Sequence, residues 1–322
     1  MKMRYQKIFI DASNFFHRAH CCFNGEPVDL PDGTQVATGG IFIGINMMNR
    51  LERDFLIPGG KIFFLFDNTH SGDNKRKEID PEYKSNRTKK DDSFYRGLDL
   101  FQMILLSYKS NLVMVKVTGK EADDLVDPLV KKFPDEKILL VSNDLDWFRS
   151  ISDLVHVAKY EKGNYNIYGR DEFYEKFQFE PTVDNLCLYK AFRGDKSDNV
   201  QSGVPGIREV TLVQLINEFD SIKEIFHSLP SIDYISDNFK KKIKENYSRL
   251  LLNYDLVSYE VVDDEELSNG TFEGKFQPNS LYSLYKMLNF DIEKFDPRVS
   301  QFFPKEDKKN EGFFQFDKVP RA

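Results

Sequence analysis

Three short apolar runs, each leading into acidic residues, most constrain how this chain can fold. They are KIFID, which ends at Asp11, KIFFLFD, which ends at Asp67, and KILLVSNDLD, which contains Asp144 and Asp146. Continuous apolar runs of this length, separated by segments with helical patterning, are typical of buried parallel strands in an α/β sheet. Because ligands of such sheets bind outside the carboxyl ends of the strands, the sequence predicts several carboxylates at one edge of the sheet.

A further acidic segment lies between the second and third runs. In TGKEADDLVDPLVKKF the apolar residues recur at helical spacing, which predicts a helix with Thr118 as its N-cap. Pro128 is expected to kink or shorten this helix. Its early residues include Glu121, Asp123 and Asp124. Acids in a first helical turn also complement the helix dipole, so their position alone leaves both a ligand role and a structural role open.

The strand pattern fades after about residue 180. Segments such as VTLVQLINEF, NFKKKIKENYSRLLLNY and NSLYSLYKMLNF then follow with the pattern of amphipathic helices. We therefore predict an α/β domain over residues 1–180 and a smaller helical domain over residues 181–303. Residues 304–322 are polar and charged apart from Phe313, Phe314 and Phe316, and are predicted to be a mobile tail.

Charge and cysteine content narrow the choice of partner and compartment. The 322 residues carry a net charge of -7, which counts against a nucleic-acid partner unless acids and bases lie apart. A basic stretch formed by KRK at residues 75–77 and YKSNRTKK at residues 83–90, with aromatic residues interleaved, could hold phosphates and stack on unpaired bases, although a basic surface loop stays open for any one of its residues. Three cysteines without C-x-x-C spacing favour a reduced, cytoplasmic protein. No run approaches the ~20 apolar residues of a membrane span, so no membrane partner is expected.

The acidic residues taken together indicate divalent ions. If they converge, mutual repulsion raises their pKa values unless cations neutralise them. Oxygen ligands without a His or Cys cluster favour Mg²⁺ or Mn²⁺ over zinc. Two such ions ~4 Å apart can catalyse in-line displacement at a phosphodiester. The candidate ligands are Asp11, Asp67, Glu121, Asp123, Asp124, Asp144, Asp146, Asp195 and Asp198.

Five sequence blocks, in order, resemble the 5′-nuclease superfamily of flap endonucleases and 5′–3′ exonucleases, including stand-alone phage enzymes. They are FIDASNFFHRA, FLFDN, YKSNR, GKEADDLV with VSNDLDWFRSI, and GDKSDNVQSGVPGI, and the resemblance covers roughly residues 7–220. It implies a PIN-like, Rossmann-like nuclease domain with a parallel sheet and a helical arch at about residues 73–97. It also implies a C-terminal helical domain that carries a helix-three-turn-helix (helix-hairpin) motif at GVPGI.

The resemblance assigns two ions, Mg²⁺ or Mn²⁺, to the acids. One would bind Asp11, Asp67, Glu121 and Asp123, and the other would bind Asp144, Asp146, Asp195 and Asp198, with Asp123 shared and Asp124 in the outer coordination sphere. It also implies a potassium ion at the hairpin. The residues given a catalytic role are Lys84, Arg87 and Asp146, and those expected to contact DNA are Arg18, Arg76, Tyr83, Lys84, Arg87, Lys196, Gly203, Gly206 and Arg208.

Three departures from the family pattern bear on duplex binding and substrate preference. After GVPGI the family usually has Gly-x-Lys, whereas this chain has Arg208 and Val210 in REV. Arg208 or the lysine run at residues 240–244 is expected to replace the missing lysine. The third acidic run ends SNDLD where TGDKD is common, although both acids are retained. The segment between Asp67 and Tyr83 is also slightly long, which favours a stand-alone phage-type enzyme.

The function implied is a structure-specific 5′–3′ exonuclease and flap endonuclease, with RNase H-type removal of RNA primers during lagging-strand replication. Its substrates would be branched or nicked DNA and RNA–DNA hybrids, and it would act as a monomer, in the host cytoplasm if phage-encoded. Three alternatives remain: a PIN-like single-strand ribonuclease, a non-catalytic junction-binding protein, and an Asp-x-Asp phosphatase. The tail is expected either to dock on a sliding clamp or single-strand-binding protein, or to pack on the helical domain.

Overall fold

The three apolar runs form neighbouring parallel strands at the centre of one sheet. The computed structural model describes residues 3–23, 27–69 and 75–303. The strands within these ranges are β1 (Tyr5–Asp11), β2 (Pro27–Asp29), β3 (Gln35–Ala37), β4 (Leu56–Leu65), β5 (Leu112–Val115), β6 (Ile138–Val141), β7 (Val155–Glu161), β8 (Asn164–Tyr168) and β9 (Thr271–Glu273).

The helices alternate with the strands as far as β8 and dominate the later sequence. They are α1 (Ala12–Cys22), α2 (Gly39–Phe55), α3 (Lys75–Ile79), α4 (Asp92–Tyr108), α5 (Val126–Lys131), α6 (Arg170–Phe177), α7 (Val183–Arg193), α8 (Glu209–Glu218), α9 (Ile222–Ser228), α10 (Asp237–Glu245), α11 (Tyr247–Val257), α12 (Asp264–Asn269), α13 (Pro278–Met287), α14 (Ile292–Phe295) and α15 (Pro297–Ser300). Short 3₁₀ turns cover Ala122–Leu125, Leu145–Ser150 and Leu229–Ser231.

The main sheet has the strand order β8-β7-β6-β1-β4-β5-β9. Its five inner strands are parallel, and antiparallel strands close both edges. In the register of the centre, Ile10 lies between Phe64 on β4 and Val141 on β6. These side chains are buried because helices cover both faces, as expected for strands without polar alternation. The strands β2 and β3 form a separate antiparallel pair.

The parallel arrangement brings the predicted acids to one edge of the sheet. Asp11 is the last residue of β1, and Asp67 lies two residues beyond the end of β4. Asp144 lies three residues beyond the end of β6 and caps the 3₁₀ turn that contains Asp146. The prediction that strand ends deliver carboxylates to one edge agrees with this placement.

The acidic segment after β5 differs from the helix predicted for it. Its first turn is a 3₁₀ turn that begins after Glu121 rather than at Thr118, and α5 follows with only six residues. The reason is local, because the Asp124 side chain accepts a hydrogen bond from the Glu121 backbone N–H at 3.0 Å. Pro128 lies in the first turn of α5, where a backbone N–H has no intrahelical partner, so it starts a short helix without kinking a longer one.

The chain after residue 180 forms a helical region and then returns to the sheet. The helices α7 and α8 are joined by residues 194–208, and α11 packs against α7. The strand β9 then pairs with β5, and α13 packs on α4. The predicted boundary near residue 180 falls between α6 and α7. Residues 271–303 nevertheless pack with the α/β part of the molecule.

The predicted arch and tail are only partly covered by the structure. The arch begins outside the described residues at 73–74, and its described part contains α3, a turn around Tyr83 and the start of α4. The predicted tail at residues 304–322 lies wholly outside the described residues. Among the helices that are described, no stretch is both long and apolar enough to span a bilayer.

Candidate metal centre and nucleic-acid interface

Asp11 and Asp144 lie at the carboxyl end of the sheet and are held by hydrogen bonds. One oxygen of Asp11 accepts from the backbone N–H of Asn14 at 3.0 Å, and the other accepts from the Ser142 hydroxyl at 2.8 Å. Burial, with repulsion from Asp67, raises the pKa of Asp11 to about 7. Burial, with repulsion from Asp146, raises the pKa of Asp144 to about 6. These acids therefore resist joint ionisation unless a cation lies among them.

Three further carboxylates form the tightest acidic group in the described part of the chain. Asp146, Asp195 and Asp198 each offer one ligand oxygen, and these oxygens lie within 4.8 Å of one another. We call these three residues the carboxylate triad. A set of anionic oxygens fits a hard divalent cation, since such ions prefer oxygen ligands. The triad includes three of the four residues predicted for the second ion.

Lys190 and Arg149 place positive charge directly on the triad. The Lys190 Nζ lies 2.7 Å from Asp146 Oδ1 and 2.7 Å from Asp195 Oδ2. The Arg149 Nη2 lies 3.5 Å from Asp146 Oδ1 and 3.4 Å from Asp123 Oδ2. Although burial acts to raise it, the charges of Lys190 and Arg149 hold the pKa of Asp146 well below its usual range. Asp146 is therefore ionised at neutral pH.

The described part of the arch lies against the acids. Lys84 Nζ is 2.7 Å from Glu121 Oε2, and Arg87 Nη2 is 2.6 Å from Asp198 Oδ1. The Tyr83 hydroxyl donates to Asp198 Oδ2 at 3.0 Å, and its ring is buried. A backbone hydrogen bond from Lys84 N–H to the Asp198 carbonyl fixes the same turn. The structure thus brings the predicted catalytic cations to the predicted metal ligands.

Arg76 has a different position from the DNA contact predicted for it. Its side chain is only 3% exposed, and its guanidinium binds Glu121 Oε2 at 2.9 Å and Asp124 Oδ1 at 2.7 Å. It also donates to the Ser258 carbonyl at 2.9 Å. A guanidinium enclosed by carboxylates and a carbonyl holds the fold together and faces no solvent. In the structure Arg76 thus forms buried ion pairs, and its predicted contact with DNA stays a prediction.

The carboxylate of Asp124 is likewise enclosed by hydrogen-bond donors. Both of its oxygens accept hydrogen bonds, from Arg76, from the backbone N–H of Glu260 and from the backbone N–H of Glu121. Its side chain has no exposed surface. This position agrees with a place behind the ligands, as the resemblance implied, rather than on an ion.

The remaining predicted DNA contacts are divided between two places. Arg18 donates to the Tyr165 hydroxyl at 2.6 Å and lies 4.3 Å from the centre of the Tyr160 ring, next to β7 and β8. Lys196, Gly206 and Arg208 are exposed in the loop between α7 and α8. Gly206 has a φ of +83°, which suits glycine at a turn. Gly203 is buried, and a Cβ there would overlap the Ala191 carbonyl oxygen, so the position has no room for a side chain.

Residues 258–261, which we call the strap, cross the site without having been predicted. The strap contributes the Ser258 carbonyl to Arg76 and the Glu260 N–H to Asp124. The Tyr259 hydroxyl donates to the Asp146 carbonyl at 3.1 Å, and its ring centre lies 3.3 Å from the Arg149 guanidinium carbon. The strap therefore connects the helical region to the acids.

Sequence reasoning missed Lys190, Arg149 and the strap for different reasons. Lys190 follows Leu186 and Cys187 at helical spacing, so it lies on the apolar face of α7. A lysine on an apolar face is a detectable signal of a buried charge, because such residues are seldom buried without a partner. Arg149 does have a partner three residues away in Asp146, but this spacing is common in surface ion pairs, and its contacts with Asp123 and the Val257 carbonyl are distant in sequence. The strap carries no comparable signal, since its partners Arg76 and Asp124 are also distant in sequence.

Comparison with known proteins places the chain in a family. The sequence model for the 5′–3′ exonuclease, N-terminal resolvase-like domain, matches residues 6–178. A 5′–3′ exonuclease of Mycoplasmopsis pulmonis is 35% identical over 198 residues, which are 61% of this chain and 64% of that protein. A 5′–3′ exonuclease of Buchnera aphidicola is 27% identical over 259 residues, which are 78% of this chain and 84% of that protein.

Solved structures share the fold across nearly the whole chain. The bacteriophage T5 D15 protein co-crystallised with metal ions has a TM-score of 0.60 at 19% identity, over 92% of this chain and 99% of that one. The catalytic core of Rad2 in complex with a DNA substrate has a TM-score of 0.57 at 16% identity, over 93% and 92%. These likenesses confirm the predicted fold class, a mixed α/β protein with a mostly parallel sheet. The match over residues 6–178, which is more than half of the chain, shows that the chain belongs to the 5′–3′ exonuclease family.

Proposed function

We propose that this protein is a divalent-metal-dependent, structure-specific 5′–3′ exonuclease and flap endonuclease. One observation carries the proposal: the arch residues Lys84 and Arg87 both reach Asp198 of the carboxylate triad, at 3.9 Å and 2.6 Å. An acidic group that suits divalent ions, with cationic side chains beside it, suits a phosphodiester, which needs both metal ions and positive charge around its phosphate. The named relatives, which are 5′–3′ exonucleases, support the same reaction.

The acids would hold two ions of Mg²⁺ or Mn²⁺. As the sequence predicts, one ion would bind Asp11, Asp67, Glu121 and Asp123, and the other would bind Asp144 together with the carboxylate triad, Asp146, Asp195 and Asp198. Such ions, when bound, stabilise charge on a reacting phosphate and make water more acidic. Metal ions also accompany the T5 D15 protein in its crystals.

The cationic side chains would position the substrate. Lys84 and Arg87 are paired with carboxylates here, and a phosphate that enters the site would take over these contacts. In the hydrolysis, a water oxygen bonds to phosphorus and the bond from phosphorus to the 3′-oxygen breaks. The 3′-oxygen takes a proton, and the products carry a 5′-phosphate and a 3′-hydroxyl.

The loop between α7 and α8 would bind the adjoining duplex. It exposes Lys196, Gly206 and Arg208, and Lys242 of α10 lies beside it, with Nζ 3.4 Å from the Pro205 carbonyl. Backbone N–H groups and lysines contact phosphates without reading bases, so this binding should be independent of sequence and weakened by salt. A potassium ion at the turn belongs to the same proposal. Structures of T5 D15 and Rad2 with DNA support a DNA substrate.

The finer assignments stay predictions from the sequence. They comprise RNA primer removal on RNA–DNA hybrids, a monomeric state, a cytoplasmic location, and docking of the tail on a sliding clamp or single-strand-binding protein. The tail lies outside the described residues, so its two predicted roles stand side by side.

The decisive experiment uses flap, nicked-duplex and single-stranded substrates, each labelled at the 5′ or the 3′ end. With Mg²⁺ the protein should cut near the junction of the flap substrate, and without Mg²⁺ it should not. Asp146→Asn should lose at least about a hundredfold in cleavage rate, because the triad loses a charged ligand. Binding of the flap substrate without any cutting would instead favour a junction-binding protein. Cutting of single-stranded RNA alone would favour the ribonuclease alternative.

A further inference from the structure

Lys190 occupies an unusual place for a surface-type side chain. It lies near the end of α7, and its side chain is only 7% exposed. Its Nζ is equidistant, at 2.7 Å, from one oxygen of Asp146 and one oxygen of Asp195. Those two residues belong to the carboxylate triad, whose ligand oxygens lie within 4.8 Å of one another. The ammonium group therefore bridges two of the three carboxylates that suit a divalent ion.

The two cations on the triad differ in how firmly they are fixed. Arg149 also donates to the Val257 carbonyl at 2.7 Å and to the Asp146 carbonyl at 3.1 Å, and its guanidinium stacks on Tyr259. Within the described part of the chain, the Lys190 ammonium is paired with these two carboxylates and with no other group. A lysine ends in a compact ammonium on a flexible four-carbon stem, whereas an arginine presents a rigid fork. Lys190 can therefore leave the triad at lower cost than Arg149.

We propose that Lys190 is a resident cation of the triad, and that a divalent ion binds to Asp146 and Asp195 only by displacing its ammonium group. This inference rests on the proposed function, in that the triad holds one of the ions. Lys190 stabilises the folded protein before metal binds, because it neutralises two carboxylates that would otherwise repel. The charge of Lys190 also lowers the affinity of the triad for its ion relative to the affinity of the site at Asp11 and Asp67. The two ions therefore load in sequence as the metal concentration rises.

The test compares binding of Mn²⁺ alone to the full chain, counted by the electron paramagnetic resonance of free Mn²⁺. In Lys190→Met the second ion should bind on the order of tenfold more tightly than in the unchanged protein, because a nearby unit charge is removed. Lys196→Met is the matched control, since Lys196 lies between the triad residues Asp195 and Asp198 in sequence but its side chain is exposed. Lys196→Met should change the affinity of the protein for the second Mn²⁺ ion by less than about twofold, because exposed charges are screened.

Thermal melting with and without Mn²⁺ distinguishes a change in metal binding from a loss of folding in the Lys190 variants. Without divalent ions, Lys190→Met should melt at a lower temperature than the unchanged protein, and Mn²⁺ should raise its melting temperature by more. If Lys190→Met fails to fold, Lys190→Gln replaces it, since the amide can still donate to both carboxylates without a positive charge. We expect Lys190→Gln to tighten the binding of the second ion by the same factor as Lys190→Met.

Each outcome decides the inference. Unchanged or weaker binding of the second ion in the neutral variants overturns it, even where the unchanged protein binds two ions and cuts flap substrates. If neither the unchanged protein nor the variants bind Mn²⁺, both this inference and the metal dependence of the proposed function fail. Tighter binding in Lys196→Met to the same extent as in Lys190→Met also overturns it, because general charge would then explain the effect.

Discussion

At the scale of single residues, Arg149 shows how a buried cation reduces the repulsion between neighbouring carboxylates. Its side chain is 1% exposed and lies between Asp123 and Asp146, which belong to different parts of the site. Three fixed contacts, to the Val257 carbonyl, the Asp146 carbonyl and the Tyr259 ring, leave its guanidinium one position. A buried charge with so many partners is costly to remove, since the remaining carboxylates lose their counter-charge.

Arg149→Met should therefore lower the free energy of unfolding by about 3–5 kcal/mol. Urea denaturation without divalent ions measures this change. The matched control is Arg53→Met, since Arg53 is 72% exposed in its pair with Asp54, and it should cost less than about 1 kcal/mol. Equal losses in the two variants would show that the pairs around Arg149 contribute no more than a surface ion pair.

At the scale of elements, two of the three glycines in the loop between α7 and α8, Gly203 and Gly206, are under different constraints. A Cβ on Gly203 would overlap the Ala191 carbonyl oxygen and approach Leu250, because the loop crosses directly over α7. A Cβ on Gly206 would enter open space, but its φ of +83° is unfavourable for other residues. One glycine is required for packing, and the other for backbone conformation.

Gly203→Ala should destabilise the protein by about 1–3 kcal/mol through overpacking. Gly206→Ala should cost about 1–2 kcal/mol through its left-handed backbone alone. Thermal and urea unfolding of both variants, compared with the unchanged protein, test the difference. A loss for Gly206→Ala that exceeds the loss for Gly203→Ala would contradict this account of the loop.

The elements also show how far sequence reasoning reaches. The strands β1, β4 and β6 could be predicted because continuous apolar runs carry their own signal, and Asp11 and Asp67 follow from where those runs end. The helix around Glu121 was placed too early, because a side-chain contact from Asp124 set its start. The strap could not be predicted, since its residues show no periodicity and its contacts with Arg76 and Asp124 are made far along the sequence. Its contacts depend on the packing of segments more than a hundred residues apart.

At the scale of the whole molecule, the chain closes its sheet with its last strand. The strand β9 pairs with β5 through Met114 and Phe272, and backbone hydrogen bonds continue the pairing on both sides. After β9, α13 packs on α4 with Leu281, Leu284 and Tyr285 buried. The part of the molecule that carries the first acids is thus completed by residues from the other end of the chain.

A chain that ends at Asn269 should therefore misfold or aggregate, because it exposes the β5 edge and the apolar surface under α13. The control is a chain that ends at Phe303, which retains every described element. Size-exclusion chromatography and thermal melting compare the two. A monomeric chain ending at Asn269 that melts at the temperature of the control would contradict this role for β9.

The late position of β9 has a consequence for synthesis. The strand β5 ends at residue 115 and its partner begins at residue 271, so the ribosome makes the intervening helices while the β5 edge is open. At ordinary elongation rates this interval lasts on the order of ten seconds. During that time the nascent chain offers an unpaired edge, which is a target for chaperones or for neighbouring chains on the same message. A product released early at residue 269 would contain every acidic residue of the candidate site and yet lack a finished sheet.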